Sequence, residues 1–297
     1  MTLRVVCAGI AVLDQVFQVE RLPVDATKYA AVSRREVAGG IAANAAMAVA
    51  RLGGAARLVS RVGADAAGES LRAVLAAAGV DCAGLQTPQE GVTATSAVFI
   101  DPRGERMLIN HKDPALFRGA PDSAAFAGAD AVMCDLRWPE AARMGLQAAG
   151  LAGVPGVLDY DTAPEEARGL MARASHVIFS AAGLESLQPG ERQAALAAVA
   201  EGHPGVAFAV TAGAEGAFWI EAGRSGQVPA VPVQAVDTLG AGDVYHGAAA
   251  LALAEGKAFP EALRFASAAA ALKVAQPSGP GAFPTRQEVT SLLETRL

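Results

Sequence analysis

The stretch of this sequence best suited to chemistry is VDTLGAGDVYHGAAALALAEG, at residues 236–256. It contains a glycine-rich turn, Gly240-Ala241-Gly242, directly before Asp243 and a helix rich in alanine and leucine. Small residues allow the backbone N–H groups of the turn to converge on one point, and the dipole of the helix adds partial positive charge there. The stretch therefore predicts an anion-binding site, and a phosphate group suits it best.

Asp243 places a carboxylate at this predicted anion site, where it costs electrostatic energy. A carboxylate beside a phosphate can accept the proton of a hydroxyl group, which is the chemistry of phosphoryl transfer to an alcohol. An aspartate at the start of a helix can also simply cap that helix. The glycines before Asp243, together with Asp237 upstream, favour the catalytic interpretation.

A second set of polar groups surrounds the helix that begins after Gly39-Gly40 and carries Asn44 in its first turn. Two glycines permit close approach of a ligand to the backbone, and the amide of Asn44 offers both a donor and acceptors. Asp14 follows the apolar run RVVCAGI, which is typical of a buried strand, and ligands of open α/β sheets bind beyond the carboxyl ends of strands. Asp14 is equally consistent with an ordinary turn residue, and the glycine pair with a tight turn.

Strands and helices alternate along the chain from residue 129 onward, which predicts βαβ units and a parallel sheet. Arg137 follows one of these strands and therefore points toward the ligand edge of the sheet. A T-x-G-x-x-G motif beginning at Thr211 follows a later strand. Segments 15–37 and 93–110 have the pattern of strand pairs, so we expect a small β-sheet outside the main one.

The composition limits the classes of protein to which this chain can belong. With 297 residues, 52% apolar and 18% charged, the chain can form one large α/β domain. Its net charge of −6 and its lack of Lys/Arg runs argue against a nucleic-acid partner. No apolar run has the length of a membrane span, and the N-terminus lacks the layout of a signal peptide. The three widely spaced cysteines are typical of free thiols in a reducing compartment, so we expect a cytoplasmic protein.

The sequence DTLGAGD before a small-residue helix resembles the C-terminal signature of the ribokinase-like (PfkB) carbohydrate kinases. The motifs GGxxxN and TxGxxG occur in the order typical of that family, and the likeness covers essentially the whole chain. It implies a doubly wound, mostly parallel α/β sheet flanked by helices, with a small β-sheet as a lid over the sugar. We therefore expect one kinase domain over residues 1–297, with lid segments near 15–37 and 92–112 and a homodimer formed through the lid.

The resemblance also implies roles for individual residues in an ATP-dependent sugar kinase. Asp243 would be the base, and the backbone amides of Gly240, Ala241 and Gly242 would stabilise the transferred phosphoryl group. The other implied ligands are the sugar-binding residues Asp14, Gly39, Gly40 and Asn44, the nucleotide-binding residues Thr211, Gly213, Gly216, Ser267, Ala271 and Gly281, and Asp237 as a candidate ligand of K⁺.

One departure from the family pattern concerns magnesium. The family usually has an Asn-x-x-Glu element that supports Mg²⁺ and phosphate through water, whereas this chain has Ser180-Ala181-Ala182-Gly183 at that place. Glu185 lies nearby but out of register. The sequence therefore does not identify the protein groups that contact Mg²⁺, and the ion can enter bound to ATP.

Within the family, the stretches GIAVLD, LPVDATKYAAV, ERMLINH, DLRW and GAGDVYHGA resemble the 6-deoxy-6-sulfofructose kinases. This likeness implies that Lys28, Asn110 and Arg137 bind the sulfonate of the sugar. Kinases of fructose, of fructose or tagatose phosphate, and of ribose are alternatives, since a lysine or arginine at these positions can be an ordinary surface charge. A catalytically silent sugar-binding regulator is an alternative of another class.

Overall fold

The strands and helices follow the alternation predicted from the sequence. The computed structural model describes residues 2–161, 165–277 and 282–295. The strands are β1 (Arg4–Ala8), β2 (Val12–Val19), β3 (Ala31–Gly39), β4 (Ala55–Arg61), β5 (Leu85–Gln86), β6 (Thr95–Ile100), β7 (Arg106–His111), β8 (Ala131–Cys134), β9 (Gly156–Tyr160), β10 (His176–Ser180), β11 (Ala207–Thr211), β12 (Ala217–Glu221) and β13 (Arg224–Val228). The α-helices are α1 (Ile41–Arg51), α2 (Ala66–Ala77), α3 (Pro139–Ala152), α4 (Ala181–Leu187), α5 (Arg192–Glu201), α6 (Ala241–Ala254), α7 (Phe259–Val274) and α8 (Arg286–Glu294), and short 3₁₀ helices cover Ser123–Phe126, Glu165–Arg173 and Gly213–Glu215.

Nine strands of the described residues form the main sheet, in the order β13-β12-β11-β10-β9-β8-β1-β4-β5. The strands from β11 to β5 are parallel, and β12 and β13 extend the sheet antiparallel at one edge. Strands β8 and β9 are buried along their whole length because helices cover both faces of the sheet. One apolar core lies with α1, α6 and α7 and the other with α3 and α5. The predicted doubly wound, mostly parallel fold is confirmed.

The strand order reverses at β1, which lies between β4 and β8. In open α/β sheets a ligand crevice forms where the carboxyl ends of strands meet such a switch point. The buried carboxylate of Asp135, directly after β8, fixes this edge, because its Oδ2 accepts the backbone N–H groups of Ile10 at 2.8 Å and of Ala42 at 3.1 Å. A Cβ on Gly9 would lie 2.0 Å from the same oxygen, so glycine is required there. The ends of β1 and β8 and the start of α1 are thereby held together.

The predicted small sheet has the order β3-β2-β6-β7, and we call it the lid sheet. Both predicted strand pairs are antiparallel, and β2 joins β6 in parallel. In the first lid segment, expected near residues 15–37, β2 begins at Val12 and β3 ends at Gly39. Asp14 was expected just beyond the first strand of the main sheet, but it lies within β2, since the chain re-enters a strand almost immediately after β1.

Local interactions fix the elements around the end of the main sheet. Strand β13 begins at Arg224 because Ala222 and Gly223 both have positive φ and close a two-residue turn after β12. Helix α4 begins because the Ser180 hydroxyl accepts the backbone N–H of Gly183.

Helices α1 and α6 pack closely because small residues form their contact. A Cβ on Gly247 would lie 2.5 Å from the carbonyl oxygen of Ala45, so only glycine permits this approach. Helix α6 is apolar on nearly all sides and is buried from Val244 to Leu253, as expected of a helix in the core of a large domain. No helix in the described part of the chain is both long and apolar enough to cross a bilayer.

Candidate active site

The site begins with the N-termini of α1 and α6, which lie side by side at the ligand edge of the sheet. Gly40 and Gly240 precede these helices with φ of 91° and 73°, a conformation that favours glycine. Within the described residues, neither helix receives a side-chain hydrogen bond at its N-cap. In α1 the backbone N–H of Ala42 already donates to Asp135 Oδ2 at 3.1 Å, and in α6 that of Ala241 donates to the Thr238 carbonyl at 3.3 Å. The described contacts therefore leave the N–H groups of Gly242 and Asp243, at the predicted glycine turn, to an anion.

Asp243, in the first turn of α6, joins the two helix starts. Its Oδ2 accepts a hydrogen bond from Asn44 Nδ2 at 2.7 Å, across 199 residues of sequence. Burial raises the pKa of Asp243 to about 6, and the hydrogen bond from Asn44 opposes that rise. The carboxylate is thus bonded to another helix rather than serving as a simple cap, and it is a stronger base than an exposed aspartate.

Further carboxylates surround Asp243 at the ends of β8 and β9. Asp135 and Asp161 raise the pKa of Asp243 through their charge. Burial, followed by the charge of Asp243, holds the pKa of Asp159 well above its ordinary value. His246 lies one helical turn away: its Nδ1 is 2.7 Å from the Gly242 carbonyl, which can only accept, and 3.2 Å from Asp159 Oδ2. Burial lowers the pKa of His246, which favours the neutral imidazole.

Asp14 reaches the same crevice from the lid sheet. Burial raises its pKa to about 6, and a hydrogen bond with the Ser96 side chain opposes the rise. A Cβ on Gly39 would lie 2.0 Å from Asp14 Oδ2, which explains the first glycine of the pair. Asp14 pairs with Ser96, and Ser96 pairs with Asn110, so these three side chains lie on one face of the lid sheet.

Asp14, Asn44 and Gly240 line one cavity of about 340 Å³. Apolar side chains, among them Met47 and Phe283, form much of the remaining wall. A cavity of this size and lining is typical of a site for a small molecule. The predicted sugar-binding residues of β2 and α1 are therefore brought together with the predicted anion site of α6.

The three predicted sulfonate ligands lie in different parts of the structure. The guanidinium of Arg137 forms an ion pair with Asp161, and the Arg137 backbone N–H donates to Asp135 Oδ1 at 2.7 Å. Asn110 is exposed on β7, and Lys112, just beyond that strand, donates from Nζ to the Arg137 carbonyl. Lys28 is exposed in the loop between β2 and β3. The end of β7 and Arg137 are thus in contact, whereas Lys28 lies apart in its loop.

The predicted nucleotide-binding residues flank the end of β11. The Thr211 hydroxyl donates to the Phe179 carbonyl at 3.2 Å, and Gly213 is exposed with open space around its Cα. A Cβ on Gly216 would lie 2.1 Å from the Val228 carbonyl, so this glycine is explained by the β12–β13 hairpin. Ser267 and Ala271 are buried on α7. Gly281 lies outside the described residues.

The residues described by the structure do not assemble a metal site. Among them, no group of three or more His, Cys, Asp or Glu side chains could hold an ion. Ser180 caps α4 where the family pattern would place asparagine. Asp237, the candidate K⁺ ligand, lies 3.2 Å from Arg106 Nη1 and 3.8 Å from Lys273 Nζ.

Sequence reasoning did not identify several polar residues of this site. Each of these residues takes part in the site only through tertiary contacts. They are Ser96, Arg106, Lys112, Asp159, Asp161, His246 and Lys273. A partial signal was available for Asp159 and Asp161, because two carboxylates at a strand end of a parallel sheet lie at the ligand edge.

Comparison with known proteins identifies relatives over almost the whole chain. The model of the pfkB family carbohydrate kinases matches residues 2–286. A ribokinase of Haemophilus influenzae is 30% identical, with 86% of this chain and 87% of that protein covered. A protein of Agrobacterium tumefaciens, solved as a candidate ribokinase, is 37% identical with a TM-score of 0.95, covering 100% and 99% of the two chains. Arabidopsis thaliana ribokinase, solved with ribose and ATP, is 27% identical with a TM-score of 0.83 and 99% of each chain covered.

We expect Asp243→Asn to lower kcat at least ~10²-fold, because asparagine keeps the size of the side chain but cannot accept a proton. The KM for ATP should change little, and steady-state kinetics measure both quantities. Asp122→Asn is the matched control, since the exposed Asp122 caps a 3₁₀ helix by accepting the Ala124 N–H at 2.9 Å and asparagine is also a good cap. A kcat of Asp243→Asn close to that of the control would show that Asp243 is not the base.

We expect kcat/KM to fall as the pH drops through about 6, because the protonated Asp243 cannot accept a proton. Asn44→Leu removes a hydrogen bond that lowers this pKa, so its acid limb should move to higher pH. The measurement is the pH profile of kcat/KM for both proteins. An unchanged acid limb in Asn44→Leu would contradict the assignment of that limb to Asp243.

Proposed function

The chain belongs to the pfkB family of carbohydrate kinases, and from this premise we propose that it transfers the terminal phosphoryl group of ATP to a primary hydroxyl of a ketose. The proposed sugar is 6-deoxy-6-sulfofructose, with its 1-phosphate as the product and ATP entering as its magnesium complex. The observation that carries the kinase chemistry is the cavity lined by Asp14, Asn44 and Gly240, next to Asp243.

In the proposed reaction Asp243 accepts the proton of the sugar hydroxyl as the hydroxyl oxygen attacks the terminal phosphorus and ADP leaves. Asn44 holds one carboxylate oxygen at 2.7 Å and so fixes the orientation of the base. The backbone N–H groups at the start of α6 stabilise the charge that develops on the transferred group. Burial, supported by the charges of Asp135 and Asp161, keeps the pKa of Asp243 raised, which increases its basicity while leaving it ionised at neutral pH.

The lid sheet supports the proposed sugar contacts. Asp14 and Asn110 lie on one face of it, in a row of paired residues that runs through Ser96. Since Asp14 lines the cavity, the exposed Asn110 lies on the face that closes over it. A sugar bound by Asp14 can therefore extend along this row toward Asn110 and the end of β7.

The end of that row supports an anionic substituent on the sugar. The Lys112 ammonium donates there to the backbone carbonyl of Arg137, and the Arg137 guanidinium is paired with Asp161. Two cations thus lie where β7 meets the loop after β8, and the guanidinium would exchange Asp161 for the anion of the sugar. A sulfonate offers three acceptor oxygens and one negative charge, and a guanidinium can meet two of the oxygens. A phosphate would also satisfy two cations, so the choice of sulfofructose over fructose 6-phosphate rests on the resemblance described above. Lys28, in the β2–β3 loop, would contact the anionic substituent of the sugar once the lid sheet closes.

The experiment compares kcat/KM for 6-deoxy-6-sulfofructose, fructose 6-phosphate, fructose and ribose, using a coupled assay of ADP release. We expect the sulfonated sugar to be the best substrate, and Arg137→Ala to lower its kcat/KM at least ~10-fold, as for a lost hydrogen bond to a charged group. Arg224→Ala, which removes a comparable arginine from its pair with Glu221 at 3.2 Å, is the control and should have no effect.

Two results would contradict the proposal. The proposed anion site is wrong if fructose or ribose is the best substrate, or if Arg137→Ala leaves kcat/KM for the anionic sugar unchanged. The proposed kinase activity would stand in either case. If no sugar of the panel is phosphorylated, the catalytically silent regulator becomes the better account.

A homodimer formed through the lid sheet is also part of the proposal. Its outer face, opposite to Asp14, carries Phe17 stacked on Phe99 at 5.5 Å and the 61% exposed side chain of Ile109. An open apolar sheet face of this kind is typical of a subunit contact. Light scattering should give the mass of a dimer for the wild type and of a monomer for Ile109→Glu, while Leu151→Glu on α3 should stay dimeric. A monomeric wild type would contradict this contact.

A further inference from the structure

Lys273, near the end of α7, is a lysine whose side chain is only 3% exposed. Its Nζ donates to the backbone carbonyl of Asp237 at 3.0 Å and lies 3.8 Å from Asp237 Oδ1. A carbonyl oxygen and a carboxylate oxygen of one residue thus face the same ammonium group. Lysine is rarely buried unless it is paired in this way, so the position requires an explanation.

The same oxygens shape the turn that leads to the anion site. Asp237 Oδ1 accepts the backbone N–H of Leu239 at 2.8 Å, one residue before Gly240. The backbone N–H of Asp237 donates to the Val274 carbonyl at 3.1 Å, which ties the turn to the end of α7. A cation at Asp237 therefore acts on the geometry of the turn that presents the first N–H groups of α6.

Oxygen atoms of this kind are ligands for a hard cation, and Asp237 is the residue for which the family resemblance implies K⁺. In this chain the same oxygens already face Lys273. A second cation, Arg106 of β7, places Nη1 3.2 Å from Asp237 Oδ1 and donates from Nη2 to the Thr238 hydroxyl at 2.7 Å. Among the described residues, an ion entering here would meet two positive charges for one carboxylate, so the part of the site that the structure describes does not fit K⁺.

We infer that the ammonium group of Lys273 is the resident cation of the Asp237 turn and that the enzyme works without a monovalent metal ion. Lys273 is then a positioning residue, because it acts on the anion site through Asp237 and Leu239. Burial lowers the pKa of Lys273, and the charge of Asp237 opposes this and favours the ammonium form. The kinetic part of the inference rests on the kinase activity proposed above, whereas the position of the cation does not.

A different interpretation is that Lys273 only stabilises the end of α7, where a cation interacts favourably with the helix dipole. The two interpretations differ in one respect. If the ammonium replaces a metal ion, removing it should create a space that K⁺ can fill and should make the turn sensitive to K⁺. If it only stabilises the helix, its removal should destabilise the protein equally in every salt.

The experiment measures kcat and the melting temperature in potassium chloride and in choline chloride at equal ionic strength. Wild type and the control Lys257→Ala, which changes an exposed lysine, should give the same values in both salts. Lys273→Ala should lose kcat at least ~10-fold in choline chloride, the scale of a lost hydrogen bond to a charged group, and should regain part of it in potassium chloride. Potassium should also raise its melting temperature. Lys273→Met fills the space with an apolar side chain and should respond to neither salt.

The inference is overturned if potassium raises kcat or the melting temperature of the wild type relative to choline. It is also overturned if Lys273→Ala responds to the two salts alike. If Lys273→Ala does not fold, the comparison of wild-type kcat and melting temperature in the two salts tests the inference by itself. If the wild type phosphorylates no sugar, the proposed function fails, but the potassium-dependent melting temperature of Lys273→Ala still tests the cation.

Discussion

The contact between α1 and α6 is the constraint on which the site depends. Gly247 lies against the backbone of Ala45 so closely that a Cβ would come within 2.5 Å of the Ala45 carbonyl. This approach brings together two helix starts that are far apart in sequence, and Asn44 can then bond Asp243. If the helices were separated by the width of a larger side chain, the base would lose its partner and the two dipoles would no longer point at one place.

The electrostatics of the site follow from this arrangement. The helix starts are positive and favour phosphate, whereas the charges of Asp135 and Asp161 lie at the strand ends below them. Asp243 lies between the two, and burial, with a smaller contribution from those charges, raises its pKa to about 6, so it remains ionised at neutral pH. A base in this range is effective without being protonated under working conditions. The buried ammonium of Lys273 stabilises the adjoining turn from the other side.

The sequence predicted the parts of the site that local patterns encode. The glycine turn, Asp243 and Asn44 were recognised because glycines before a small-residue helix have a specific geometric meaning, and alternating strands and helices predicted the confirmed fold. Asp14 was recognised but assigned to the wrong element, since a short connection after β1 leaves no local sign that a new strand begins. Gly216 belongs to a recognised motif, yet the hairpin itself is sufficient to require it.

The partners of these residues could not be predicted, because they depend on packing between distant segments. Arg106 meets Asp237 across 131 residues and Lys273 meets it across 36, and neither cation stands in a local pattern that marks it. Lys112 lies two residues beyond the predicted Asn110, but its contact with Arg137 depends on how the lid sheet meets the main sheet. The pairing of charges is therefore the part of the site that required the structure.

The most direct test of Asp243 as the base is a crystal structure with a sugar and a non-hydrolysable ATP analogue. We expect the primary hydroxyl of the sugar within ~3 Å of the Asp243 carboxylate, with the terminal phosphate at the first N–H groups of α6. A sugar bound elsewhere, or a terminal phosphate away from the start of α6 with the lid sheet closed, would contradict it.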